Sequence, residues 1–225
     1  MLDLAKPEHR QGLSAAAIAE RAFEIVDADG YDALSFRALG KVMGCEAMSL
    51  YHYYPSKAHL RDALIDMLLA EIKIDTNIGK PWRARLGLAA RSWYEALIAH
   101  PSLASVFLMH RLNHKNGVVW VVSLASILED AGLPPDRSAA FFSELTVFVT
   151  GSALREIRGL SGGLAAAEPA LEISAYATIG DPARNHELFE HGLTMILDRI
   201  EAELPTPSLK DVREARRARR LARLQ

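Results

Sequence analysis

The sequence predicts an all-α protein, with three short helices at its N-terminus and a larger helical domain behind them. Three observations lead there. Apolar residues recur at spacings of three and four nearly throughout, the period of a helix with one buried face. Gly, Pro and small polar residues break that pattern into helix-sized pieces. No segment alternates apolar and polar residues as a half-buried strand does, and no internal repeat or low-complexity tract interrupts the chain.

Composition agrees. Half of the 225 residues are hydrophobic and 24% are charged, which supplies a core and excludes disorder as the main state. No apolar run reaches the roughly 18 residues of a membrane span, so no membrane partner is expected. The first twelve residues, MLDLAKPEHRQG, carry no apolar leader stretch. The single cysteine, Cys45, leaves no internal disulfide and no multi-cysteine zinc site. A reduced, cytoplasmic chain is the expectation. Charge is uneven: residues 1–60 carry a net −2, residues 61–204 a net −5 and residues 205–225 a net +5. The overall −2 therefore hides a basic tail on an acidic body, and composition alone does not suggest nucleic acid.

The elements follow in order. Ser14 is the expected N-cap of a helix over 14–29, with Ile18, Ala22, Ile25 and Val26 on one face and Gly30 as its stop. Ser35 opens a second helix over 35–43, ended by Gly44. A third, over 46–52, runs into Tyr53, Tyr54 and Pro55. Ser56 caps a longer helix over 56–74, with Leu60, Leu64, Met67 and Leu68 on one face. The pattern then breaks at Gly79 and Pro81, and Pro81 suits the first turn of the next helix, which runs to His100. Further helices are expected over 102–112, 116–131, 136–158 (capped by Asp136 or Ser138) and 185–203. Residues 161–184, mostly small and polar with Pro169 and Pro182, read as a loop with room for one short helix. Pro205 and Pro207 separate the last helix from the tail.

The first three helices carry the functional signal. The second and third are separated only by Gly44 and Cys45, and a glycine there can take the left-handed conformation that a sharp turn demands. Ala38 is small enough for a close crossing, and Leu34, Leu39, Val42 and Leu50 supply a compact core. This is a helix-turn-helix pattern, whose second helix enters the DNA major groove. The segment LSFRALGKVMGCEAMSLYHYYPSKAHLRDAL, 34–64, resembles the DNA-binding signature of the tetracycline-repressor family of bacterial transcription regulators. The matching pieces are L-S-x-R-x-L-G, then G-C-x-x-x-S-L-Y-x-Y-Y, then S-K-x-x-L. The resemblance covers about fifty residues; beyond it the chain is similar only in architecture. It implies a DNA-binding domain over 1–74, a helical ligand-binding and dimerisation domain over 75–204, and the basic tail 205–225.

Individual residues then take candidate roles. Ser35, Arg37 and Lys57 sit at helix starts and read as phosphate contacts. Tyr51, His52 and Tyr53 can donate to phosphates or stack along the groove wall. Glu46, Ala47, Met48 and Ser49 open the recognition helix: Glu46 can accept from cytosine N4, and Ala47 and Met48 can touch a thymine methyl. Blander roles stand beside these. Ser35 is a cap in either case, Glu46 also complements the helix dipole, and Tyr51 and Tyr54 equally suit core or hinge packing. Cys45 reads as a small packing residue. The acidic Glu20, Glu24 and Asp27 of the first helix are expected to face away from DNA.

In the larger domain, the pocket is expected between helices of residues 82–160, from Trp93, Phe107, Trp120, Phe142 and Phe148. Glu144 and Arg155 are eleven apart, three turns on one face, with Phe148 between them; inward placement would select a cationic or an acidic ligand. Ordinary core or surface packing is the alternative at each of these positions. His110 and His114 share a helical face but lack a third ligand, so no metal is expected, and no cofactor motif occurs. A homodimer through 136–158 and 185–203 is expected, with Phe189 and Leu193 in its seam. In the tail, Arg213, Arg216, Arg217 and Arg220 fall on one face, as a solvated helix or an added phosphate contact. The resemblance implies a repressor that a small-molecule effector releases from an operator in double-stranded DNA, with no catalytic residues. The competing reading is an all-helical enzyme that kept a helix-turn-helix-like head.

Overall fold

Ser14 opens the first helix as expected: its hydroxyl accepts from the Ala17 amide at 3.1 Å and starts α1 (Ala15–Asp29). Gly30, at φ 85°, ends it. A single 3-10 turn at Tyr31–Ala33, absent from the sequence reading, leads into α2 (Phe36–Met43), which Ser35 caps through the Ala38 amide. Then come α3 (Ala47–Tyr51), α4 (Lys57–Glu71), α5 (Trp82–Ala99), α6 (Pro101–Met109), α7 (Lys115–Asp130), α8 (Pro135–Ile157) and α9 (Asn185–Glu203). The computed structural model describes residues 13–109, 115–157 and 184–205, and among these there is no strand. His110, His114, residues 161–183 of the expected loop and residues 206–225 of the basic tail lie outside the described residues.

Two boundaries differ from the sequence reading for physical reasons. The fourth helix stops at Glu71 rather than residue 74. Buried Ser92 of α5 accepts from the Lys73 amide at 3.0 Å and donates to the Glu71 carbonyl, so the last turn is closed from outside. The eighth helix starts at Pro135, so Asp136 and Ser138 lie in its first turn and do not cap it. A proline fits there because the first-turn amides have no helical partner to lose.

α5 forms the centre of the body, packed against α4, α6, α7, α8 and α9. Trp93, Tyr94 and Leu97 of α5 are buried with Phe141, Leu145 and Val149 of α8. α4 touches α1 on the head side and α5, α6 and α7 on the body side, so one helix belongs to both parts.

The stripe Phe189, Leu193, Leu197 and Ile200 of α9 is buried within the chain itself. Phe189 stacks on Tyr94 at 4.0 Å and on Phe148 at 5.6 Å. Phe189 and Leu193 are therefore core residues rather than seam residues. The apolar side chains that α8 and α9 leave in solvent are Val147 (73% exposed), Met195 (60%) and Leu188.

Candidate nucleic-acid interface and effector cleft

Residues 34–57 fold around a tight corner. Gly44 ends α2 in the left-handed region, φ 67° and ψ 30°, and Cys45 donates its amide to the Gly40 carbonyl at 2.9 Å. The close approach occurs at Gly40 rather than Ala38. A Cβ on Gly40 would lie 2.7 Å from the Cys45 carbonyl oxygen and 3.3 Å from the Ala47 amide nitrogen. Leu39 and Leu50 fill the space beneath and are fully buried; Val42, expected in that core, is 56% exposed.

The outer face presents Arg37, Lys41, Val42, Glu46, Met48 and His52. Met48 is 71% exposed and stands beside exposed Val42 (56%) on this face. Ser49 and Ala47 are half-buried, and Ala47 also packs against the core. Glu46 holds the N-cap position of α3, and its side chain makes no capping bond. Tyr51 lies at the edge of this face with its ring on Phe36, 4.4 Å between centroids.

Two expected phosphate donors also bond to backbone carbonyls of the head. The Tyr53 hydroxyl donates to the Leu13 carbonyl at 2.8 Å, as Tyr54 does to Ala15 at 2.9 Å. A phenol has one proton to give, and here Tyr53 gives it to tie the corner to the start of α1. Lys57 is half-buried; its ammonium donates to the Tyr31 carbonyl at 3.3 Å and sits 4.3 Å above the Tyr31 ring. Ser35 spends its acceptor on its own helix but remains exposed. Glu20, Glu24 and Asp29 of α1 are exposed; Asp27 is turned to the body, where His100 reaches it.

In the body, four helices bring four rings together. Trp93 of α5 meets Trp120 of α7 at 4.7 Å and Phe107 of α6 at 6.0 Å, and Trp120 meets Phe142 of α8 at 6.0 Å. All three pairs are close to perpendicular, the arrangement that sets a positive ring edge on a negative ring face.

Phe148 and Glu144 do not join them. Phe148 fills a slot over Gly192, where a Cβ would come within 2.5 Å of its ring. Glu144 is exposed and pairs with Arg199 of α9 at 3.2 Å. The spacing of Glu144 and Phe148 put them on one face as expected, but that face meets α9 and not the aromatic cluster. Arg155 is half-buried, with its Nε buried and unpartnered. Among the described residues, a cleft of about 380 Å³ lies between α4, the segment after it, and α7. Leu69, Ile72, Ile74, Val119 and Trp120 form its apolar walls. Trp120 is thus shared by the ring cluster and the cleft.

Sequence reasoning missed three contributors. Gly40 was legible only as part of the Leu-Gly pair in the motif. Arg85 is 3% exposed, donates to the Asp75 carbonyl at 2.8 Å and pairs with Asp130 of α7 at 2.9 Å. His100, at the end of α5, contacts Asp27 of α1 at 3.0 Å and Glu71 of α4 at 3.2 Å. Nothing local marks either long-range contact.

A helix-turn-helix head with a short exposed recognition helix, carried on an all-helical body, defines a DNA-binding regulator. The family model described as bacterial regulatory proteins, tetR family, matches residues 18–64, and that of the tetracyclin repressor-like C-terminal domain matches residues 76–204. The chain belongs to the tetR family of bacterial transcriptional regulators. It is 26% identical to the transcriptional repressor DrrR1 of Streptomyces coeruleorubidus over 62% of this chain and 52% of that protein, so it spans about half of that relative. It is 28% identical to an HTH-type transcriptional repressor of Mycobacterium tuberculosis over 84% of this chain and 80% of the other. Among solved structures, ActR of Streptomyces coelicolor in complex with (S)-DNPA superposes with a TM-score of 0.71 at 26% identity, over 84% of this chain and 98% of that one. The relatives are regulators, and the enzyme reading has no support. Among the described residues no helix is long and apolar enough to cross a membrane.

Proposed function

We propose that this chain is a cytoplasmic, homodimeric repressor that binds an operator in double-stranded DNA and leaves it when a small molecule binds the body. The observation that carries this reading is the double membership of α4. Its buried Leu60 and Leu64 belong to the same core as the head, while Leu69 and Ala70 near its far end line the cleft. An effector in the cleft therefore presses on the helix that carries the head. Mechanistically this is population shift: DNA favours one separation of the two heads in the dimer, the effector another, and the coupling is reciprocal. The complex of ActR with (S)-DNPA supports a small-molecule effector for this chain.

Arg37 and Lys41 supply phosphate contacts, and Met48, with Ala47 and Glu46, faces the base edges. Ser35, Ser49, Tyr51 and His52 border that surface. The dimer uses the outward side of α8 and α9, where Val147, Met195 and Leu188 stand in solvent. Gel shifts on variants test the DNA assignment. Arg37→Ala and Lys41→Ala weaken binding to every duplex alike and each flatten the salt slope by about one, as loss of a phosphate contact does. Met48→Ala changes the preferred sequence at one position by about 1–3 kcal/mol and leaves the slope unchanged. Unchanged affinity in both classes contradicts the assignment.

A further inference from the structure

The corner of the head turns outward very few groups that can read a base. Residues 42–56 contain no arginine, lysine, asparagine or glutamine. Those are the side chains that pair with purine edges: arginine or lysine with guanine O6 and N7, asparagine or glutamine with adenine N6 and N7. The N-terminal residues of a recognition helix are the ones that reach base edges. Here they are Glu46, Ala47, Met48 and Ser49. Ser49 is half-buried, and a hydroxyl serves any base. The hydroxyls of Tyr53 and Tyr54 donate to the Leu13 and Ala15 carbonyls. Tyr51 lays its ring on Phe36, and His52 stands at the opposite end of α3, as its C-cap.

What remains is one acceptor and an apolar ridge. Glu46 is exposed, makes no capping bond, and as a carboxylate only accepts. Met48 is 71% exposed and Val42 56%, both on the outer face. In the major groove the one apolar mark on a base edge is the 5-methyl group of thymine. Cytosine lacks that methyl but carries the N4 amino donor that a carboxylate accepts. A pyrimidine methylated at C5 therefore offers the ridge the same contact, whether C4 holds the oxygen of thymine or the amino group of cytosine.

We propose that this repressor reads the 5-methyl group itself, through Met48, so that 5-methylcytosine, unlike cytosine, is accepted in place of thymine. Operator affinity then responds to methylation of a cytosine at that position. This rests on the operator reading and names the mark in the DNA that the same face selects. The contact removes the methyl group and the Met48 side chain from water together. One buried methyl is worth about 0.8 kcal/mol, or about fourfold in affinity, and a two-fold operator presents it twice, for about fifteenfold.

The test uses the full-length protein and the duplex that it enriches from a random-sequence pool. Each thymine is replaced in turn, in both half-sites together, by deoxyuridine, which pairs alike and lacks only the methyl. Fluorescence anisotropy finds at least one position at which this weakens binding about fifteenfold. At that position a C·G pair binds about fifteenfold more tightly when its cytosine carries the 5-methyl group. Met48→Ala, a change at an exposed site that spares the core, brings both ratios below about threefold. Arg37→Ala weakens all of these duplexes and keeps both ratios.

Binding indifferent to deoxyuridine at every thymine overturns the inference. So does a preference for thymine over deoxyuridine with none for 5-methylcytosine over cytosine, because a methyl contact does not depend on the group at C4. Ratios that survive Met48→Ala, or that Arg37→Ala abolishes as well, take the reading away from Met48 and overturn it too. A pool that yields no enriched duplex overturns the operator reading and this inference with it. An enriched duplex insensitive to the methyl overturns the inference alone and leaves the operator reading standing.

Discussion

Gly40 decides whether the two helices of the head can meet at all. The backbone carbonyl of Cys45 stands where a Cβ would go, and backbone cannot rotate aside as a side chain can. Gly40→Ala therefore separates α2 from α3 and costs about 1–3 kcal/mol, the range for overpacking a tight contact. Chemical unfolding reads the loss, and an alanine variant as stable as the parent contradicts the close crossing. Met48 shows the opposite economy. Its side chain packs little within the chain at 71% exposure and is free to meet a base edge. Arg37 and Lys41 stand on the same face without an ion pair among the described residues, which leaves their full charge for phosphates. Tyr53 and Lys57 resemble DNA-contacting residues in the motif, yet both are tied to backbone carbonyls near the start and end of α1. These bonds fasten the corner to both ends of α1, and the Lys57 ammonium keeps further N–H donors besides the one it gives Tyr31.

At the scale of elements, α4 is the proposed transmitter, and its far end is held at more than one point. Its far end is closed by Ser92 of α5, and His100 clips that end to α1 through Glu71 and Asp27, with its ring edge-on to Phe23 at 5.0 Å. His100→Ala removes both carboxylate contacts and that ring contact. Stability falls by about 1–2 kcal/mol, discounted for partial exposure. Amide exchange rises in α1 more than in α8. Uniform exchange across both helices would mean that His100 does not join head to body. A second clip fastens α5 to α9: Arg91 grips Glu190 through two bonds of 2.7 Å each. The guanidinium holds the Glu190 carboxyl below the usual carboxylate range. A depressed carboxyl stabilises the fold above its unfolded-state pKa and loses that contribution as pH falls through its folded value. The parent therefore loses stability toward acid faster than Glu190→Gln does below about pH 4.5. Parallel acid-unfolding curves for the two proteins contradict this role of the pair.

At the scale of the molecule, the sequence revealed periodicity and caps better than partners. Ser14, Ser35 and Ser56 cap helices as read, because a cap is a contact three residues long. The ring cluster of Trp93, Phe107, Trp120 and Phe142 was legible as apolar stripes on successive helices. The direction of a stripe was not: Glu144 and Phe148 face α9, and Phe189 and Leu193 face inward, because a helical period fixes a face without naming its neighbour. The same correction moves the dimer test outward. Met195→Asp places an unpaired charge in the proposed seam at a cost on the order of 3–5 kcal/mol and yields a folded monomer in sedimentation. Phe189→Asp instead unfolds the protomer. A Met195→Asp protein that stays dimeric locates the seam elsewhere. The most direct test of the whole account is the affinity of the unmodified chain for the DNA upstream of its own coding sequence, against a scrambled duplex, by fluorescence anisotropy across a salt series. The account predicts that log affinity falls linearly with log salt on both duplexes, and that the upstream site is preferred by at least about 10³-fold. It also predicts saturation at an even number of chains per site. Equal affinity for the two duplexes, or binding indifferent to salt, would contradict it.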